Sequence, residues 1–203
     1  MKHIDFHPNP LLLSLASLLV LPFLQAGDPP AVSSELFATI RLVYEDGFES
    51  GTIDPDFWEV RQSSTWKIVD GVLTGSQSSK EFQEKKIAAG DKAHAGFKPV
   101  MWLRQVPENF VCSMRVRYDG DDFIPRFPLI DLGHHIHTLT FSREATTLTI
   151  RKDVEKIAIE EPLFTLNQWH DVVIELKKGT ILLSIDGKQH TFQSPNIDMT
   201  GHS

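Results

Sequence analysis

The chain has 203 residues, a formal net charge of −7 at pH 7, 41% hydrophobic residues and one cysteine. That charge is far from the basic balance a nucleic acid would select, so no nucleic-acid partner is expected. A single cysteine, Cys112, excludes an intrachain disulfide, and the length allows one domain with a sizeable core.

Residues 1–26 begin weakly basic (Lys2, His3, His7, with one acid, Asp5) and continue through an apolar run at 11–24. The run has the length of a signal-peptide core and is shorter than the roughly 20 residues that span a bilayer. Export is therefore expected, with cleavage near Ala26, giving a secreted or periplasmic protein without membrane contact. Leu24 stands where a small residue is usual before a cleavage site, so an uncleaved anchor is the alternative. Residues 27–41 read as a linker or a first strand, and 42–203 as the folded domain.

Residues 42–49 look extended, and 50–56 form a polar loop with an Asp-Pro turn signal. Residues 66–69 and 72–75 predict a hairpin around Asp70-Gly71, a pair that suits the primed turns matching strand twist. The polar stretch 76–95 lacks a sustained apolar stripe and is expected to be a surface loop with at most one helical turn. Strands are expected at 100–104 and 109–118. In the latter Phe110, Cys112, Met114, Val116 and Tyr118 alternate with Val111, Ser113, Arg115 and Arg117, which makes Cys112 a buried, inert thiol. Short strands follow at 127–131, 135–142, 146–151 and 156–159. Residues 168–192 then predict three strands joined at Lys178-Gly179 and Asp186-Gly187. Many short strands with repeated turn signals and little helix predict an all-β antiparallel sandwich.

Several local patterns go together: Glu45, Asp46 and Phe48 at the opening, Trp66-Lys67 with Asp70-Gly71 and Leu73, Trp169-His170-Asp171, and Asp186-Gly187. On these the chain, over residues 43–192, resembles the concanavalin A-like domains of secreted bacterial proteins grouped with 3-keto-disaccharide hydrolase and family-16-like glycoside hydrolase modules. The resemblance implies a jelly roll of two curved antiparallel sheets, with sugar held by the concave sheet and its rim loops. It also implies a candidate calcium ion, with Glu45, Asp46, Glu49 or Asp54 as oxygen donors. Such domains close with a last strand where this chain stops at Thr200-Gly201-His202-Ser203, so that strand is expected to be missing. The laminarinase-type pattern E-x-D-x-(x)-E does not occur in the sequence, which weighs against hydrolysis by two carboxyls about 5 Å apart.

The densest polar cluster is Asp131-Leu132-Gly133-His134-His135-Ile136-His137. On a strand His135 and His137 point the same way and could share a face with Asp131, as a sugar-hydroxyl network or a metal would require. No third and fourth ligand can be identified, so no metal is assigned. Asp131, His135 and His94 are the candidate acid and base groups. A sugar also needs an aromatic platform beside planar polar groups, for which Trp102, Arg104, Arg115, Arg117 and His137 are the candidates. Trp58, Trp66 and Trp169 are expected in the core. Glu160 and Glu161, before Pro162, are expected to face solvent.

The expected function is carbohydrate recognition by a monomeric sandwich. A glycoside hydrolase and a non-catalytic envelope protein are the alternatives, and fold analogy alone does not choose among them.

Overall fold

The computed structural model describes residues 32–134, 136–151 and 154–199; the expected export segment, His135 and the last four residues lie outside them. Twelve strands and one α-helix are found among the described residues: β1 (Trp58–Arg61), β2 (Thr65–Val69), β3 (Val72–Ser76), α1 (Lys80–Ala88), β4 (Val100–Leu103), β5 (Phe110–Val116), β6 (Leu129–Leu132), β7 (His137–Phe141), β8 (Thr146–Ile150), β9 (Glu155–Ile159), β10 (His170–Lys177), β11 (Thr180–Ile185) and β12 (Lys188–Gln193).

All pairings are antiparallel and fall into two four-stranded sheets, ordered β12-β11-β10-β5 and β6-β7-β8-β9, and two ribbons, β1-β4 and β2-β3. Period-two alternation decides which side chains meet. In the first sheet Val172, Ile174, Leu176, Ile181, Leu183, Ile185 and Phe192 point inward, and in the second Leu132, Leu139, Phe141, Leu148 and Ile150 do so. The two sets form one continuous core, closed by Leu163, Phe164 and Ile197. The protein is thus an all-β antiparallel sandwich. Each fully buried Leu or Ile contributes about 1.5–3 kcal/mol from area removed from water.

The turns obey the expected chemistry. In both Asp-Gly hairpins the two central residues are left-handed, with φ of 51° and 73° at Asp70-Gly71 and 52° and 80° at Asp186-Gly187. Gly75 is required for a different reason: it lies opposite Trp66, and a Cβ there would sit 2.7 Å from the indole.

Three expectations are corrected. The stretch 76–95 holds the nine-residue helix α1 rather than a loop. No residue of α1 is buried, so no apolar stripe could signal it. What starts the helix is a cap: Ser79 accepts from the Phe82 N–H at 3.2 Å, with Glu81 in the first turn and Lys85 and Lys86 in the last. Residues 42–49 form no strand, whereas Trp58–Arg61, which follow the expected loop at 50–56 and are not themselves predicted as a strand, pair with β4. Finally, none of the four tryptophans enters the sandwich core; all are half-buried at its margins.

No helix among the described residues is long and apolar enough to cross a membrane. Cys112 lies on the inward-facing side of β5, where burial pushes its thiol pKa up, as suits an inert thiol.

Candidate functional site

Since the inner face of β6-β7-β8-β9 takes the apolar residues, alternation sends the intervening polar ones outward. Strand register then builds two rows across the outer face. Asp131 lies opposite Thr138, Thr138 opposite Thr149 and Thr149 opposite Lys156; in the next row Leu129, Thr140, Thr147 and Ala158 are similarly aligned. Four threonines therefore form a rectangle on the two central strands, with neighbours about 4.7–4.9 Å apart across the strands and about 6.5–7 Å along them. The Thr138 hydroxyl donates to Oδ1 of Asp131 at 2.6 Å, leaving the other oxygen of this exposed carboxylate outside that bond.

At the same end of the β6-β7 hairpin the turn carries His134, whose ring lies 4.5 Å from that of Trp102. Trp102 comes from β4 and faces the same way as its partner Glu59 on β1. The guanidinium of Arg61, two residues further along β1, lies 4.3 Å from the indole centroid, within cation–π range. Arg104 binds Glu59 at 2.9 Å, and Arg61 makes a short contact to the other oxygen of the same carboxylate. The hydrogen bond from Arg61, reinforced by the charges of Arg104 and Arg61, holds the Glu59 carboxyl below the usual carboxylate range. Aromatic, imidazole, guanidinium and carboxylate groups thus lie together beside the hydroxyl face.

The other expected site residues separate. Arg115 pairs with Asp171 at 2.9 Å and Arg117 with Asp119 at 2.8 Å, and both guanidinium groups lie over Trp169, at 5.8 and 5.1 Å. This cluster belongs to the β5-β10 side and does not join Trp102. His137 is opposite Leu132, on the inner face, and is fully buried, with Nε2 3.0 Å from the Asp198 carbonyl. It therefore offers nothing to a surface ligand and cannot share a face with Asp131, since the register places Asp131 outward. His94 pairs with Asp91 in its own turn, Nδ1 to Oδ1 at 2.6 Å, and no hydrogen bond or ion pair joins it to Asp131. His135 lies outside the described residues. Glu160 is exposed, as expected, but Glu161 is half-buried and clasped by Lys188 and by His190, the latter at 3.2 Å.

Three of the candidate calcium donors, Glu45, Asp46 and Asp54, line an open cavity of about 530 Å³ with Tyr44, Ser50 and Thr52. Two of them already accept hydrogen bonds: Asp46 from the Tyr44 hydroxyl at 2.7 Å and the Phe48 N–H at 2.8 Å, and Asp54 through Oδ1 from the Asp56 N–H at 2.9 Å. Among the described residues no three His, Cys, Asp or Glu side chains are grouped to hold a metal ion. Tyr44 also accepts from the Trp58 indole N–H at 2.8 Å and stacks on Phe57 with ring centroids 4.2 Å apart.

Sequence reasoning singled out Trp102, Arg104 and Asp131 but passed over Glu59, Arg61 and the threonines. The two Thr-x-Thr runs, 138–140 and 147–149, were a readable signal for a hydroxyl face; which of them stand opposite each other follows only from register. No protein-family model matches this chain, and no match is found among curated proteins or solved structures.

Proposed function

We propose that this protein is a secreted carbohydrate-recognising sandwich that binds a glycan along the outer face of β6-β7-β8-β9, with the Trp102 cluster at the end of the binding surface. The observation that carries this reading is the aligned row Asp131, Thr138, Thr149 and Lys156, next to the Trp102 and His134 rings. A glycan presents hydroxyls at regular intervals together with apolar C–H patches. A fixed row of hydroxyl, carboxylate and ammonium groups meets the first, and an aromatic edge meets the second.

Binding is favoured over hydrolysis by the state of the acid in the Trp102 cluster. A general acid must hold its proton near neutral pH, whereas Glu59 is kept ionised by two arginines.

The test is a glycan array on the full chain, with the same glycans followed by mass spectrometry. Binding without cleavage is expected, lost in Trp102→Ala and weakened in the Thr138→Val/Thr149→Val double variant. Binding that both variants retain would overturn the placement on this face, no binding at all would overturn the reading, and cleavage would move it to a glycoside hydrolase.

A further inference from the structure

The outer face of the other sheet is covered by the chain's own N-terminal part, and the way it is held is unusual. Glu175 of β10 alternates with the core residues Ile174 and Leu176, so it points outward, yet it is 2% exposed. What buries it is the segment 33–37. The Ser34 hydroxyl donates to Oε2 at 2.6 Å, the Glu35 N–H to Oε1 at 2.9 Å and the Leu36 N–H to Oε2 at 2.9 Å. Ser34 Oγ also accepts from the Phe37 N–H at 3.0 Å, so the segment enters as a preformed turn. Two residues along β10, the Lys177 ammonium donates to the Leu36 carbonyl at 3.1 Å and lies 5.5 Å from the Phe37 ring.

Among the described residues, the hydrogen bonds that residues 33–37 make to the sandwich all end on Glu175 or Lys177. The strap belongs to no sheet, and residues 38–43, which tether it to the body, make no hydrogen bonds among the described residues and leave Ile40, Leu42 and Val43 exposed. The seam is also loosely filled: a polar cavity of about 90 Å³ remains between Ser33 and Glu35 on the strap and Val173, Glu175, Ser184 and Gln189 on the sheet. A segment fixed at two side chains, backed by a cavity of water-holding size and attached through an unbonded tether, opens at a cost well below that of global unfolding.

We propose that the surface around Glu175 is an acceptor site for a serine-containing turn segment, filled in cis by residues 33–37 and able to take the same segment from a second copy of this chain. The recognition chemistry is that of a buried carboxylate reading one hydroxyl and two backbone N–H groups, with Lys177 reading the carbonyl that follows. The acceptor and the strap are present on every copy, so the exchange is reciprocal and closes as a symmetric pair. In one chain the short tether gives the cis strap a millimolar effective concentration, so the cis form dominates in dilute solution. Weakening the cis strap should therefore expose the acceptor to a segment supplied from outside.

The experiment uses a fluorescent peptide with the sequence of residues 32–40, titrated with the full chain and read by anisotropy. A Ser34→Ala/Leu36→Pro chain, which loses two of the three donors to Glu175, should capture the peptide roughly tenfold or more tightly than the wild-type chain, because the loss of bonds to a charged group is confined to the cis strap. Adding Glu175→Gln should abolish capture and adding Lys177→Ala should weaken it. A peptide with alanine in place of the serine at 34 should bind roughly fivefold more weakly to every chain that captures the parent peptide, a control that does not depend on any variant folding. Equal capture by wild-type and double-variant chains, or equal capture of the two peptides, would overturn the proposal.

Discussion

The Ser34 hydroxyl meets Oε2 of Glu175 at 2.6 Å across 141 positions of sequence, making the N-terminal strap part of the sandwich's hydrogen bonding. The carboxylate is out of water and its charge is supported by three donors, so its replacement leaves donors without an ionised acceptor. Glu175→Gln should cost about 2–3 kcal/mol, the range for losing hydrogen bonds to a buried charge, and Ser34→Ala about 1 kcal/mol. Urea denaturation of the full chain measures both. Equal costs for the two substitutions would mean that the backbone donors Glu35 and Leu36 contribute nothing.

The shared core makes a sharper contrast. Leu148 and Ile174 are fully buried on facing sheets, whereas Val154 is 68% exposed. Leu148→Ala and Ile174→Ala should each cost about 2–5 kcal/mol through lost burial and the cavity left behind. Val154→Ala should stay within about 0.5 kcal/mol, as an exposed substitution does. Differential scanning calorimetry would show this as a large drop in Tm for the first two and almost none for the third.

What the sequence revealed follows the physics of each element. The meander β10-β11-β12 was readable because alternation and Asp-Gly turn chemistry are local and agree. Helix α1 was not, because it buries nothing and rests on the Ser79 cap and its end charges. The histidine cluster was misread for a related reason: period two correctly separates neighbouring residues, but only the pairing of Leu132 with His137 shows that His137 faces inward and Asp131 outward. Glu175 could be read as an outward residue of a strand; that a segment 140 positions away covers it has no local signature.

Glu59 supplies a pH test of the Trp102 cluster. Its carboxyl pKa is held below the ordinary value by the bond from Arg61 and by the charge of Arg104. A depressed folded-state pKa contributes stability that is present above the unfolded value and is lost as pH falls through the folded one. The cluster should thus stay intact at neutral pH and loosen only in acid, below the usual carboxylate range. Tryptophan emission, compared with that of a Trp102→Phe chain, should show a Trp102-dependent change in that acid window. Glu59→Gln should shift neutral-pH emission toward the acid form and remove the transition; a transition unchanged by Glu59→Gln would assign it to another group.

Tyr44 gives the opposite sign. Its pKa is pushed up to about 12, first by burial and then by the bond to Asp46, while the N–H bond from Trp58 acts to lower it. Because the neutral phenol is the favoured form, this contribution is fully present below the unfolded value near 10.0 and is lost as pH rises toward about 12. The chain has two tyrosines, so a Tyr118→Phe background isolates the Tyr44 phenolate absorbance. In that background Asp46→Asn should bring the titration down toward the ordinary value by removing the carboxylate's charge and leaving only a weaker, neutral acceptor. Trp58→Phe should move it further up, since the indole N–H stabilises the phenolate. If both variants shifted the titration in the same direction, burial alone would govern Tyr44 and the Trp58–Tyr44–Asp46 chain of hydrogen bonds would have no electrostatic consequence.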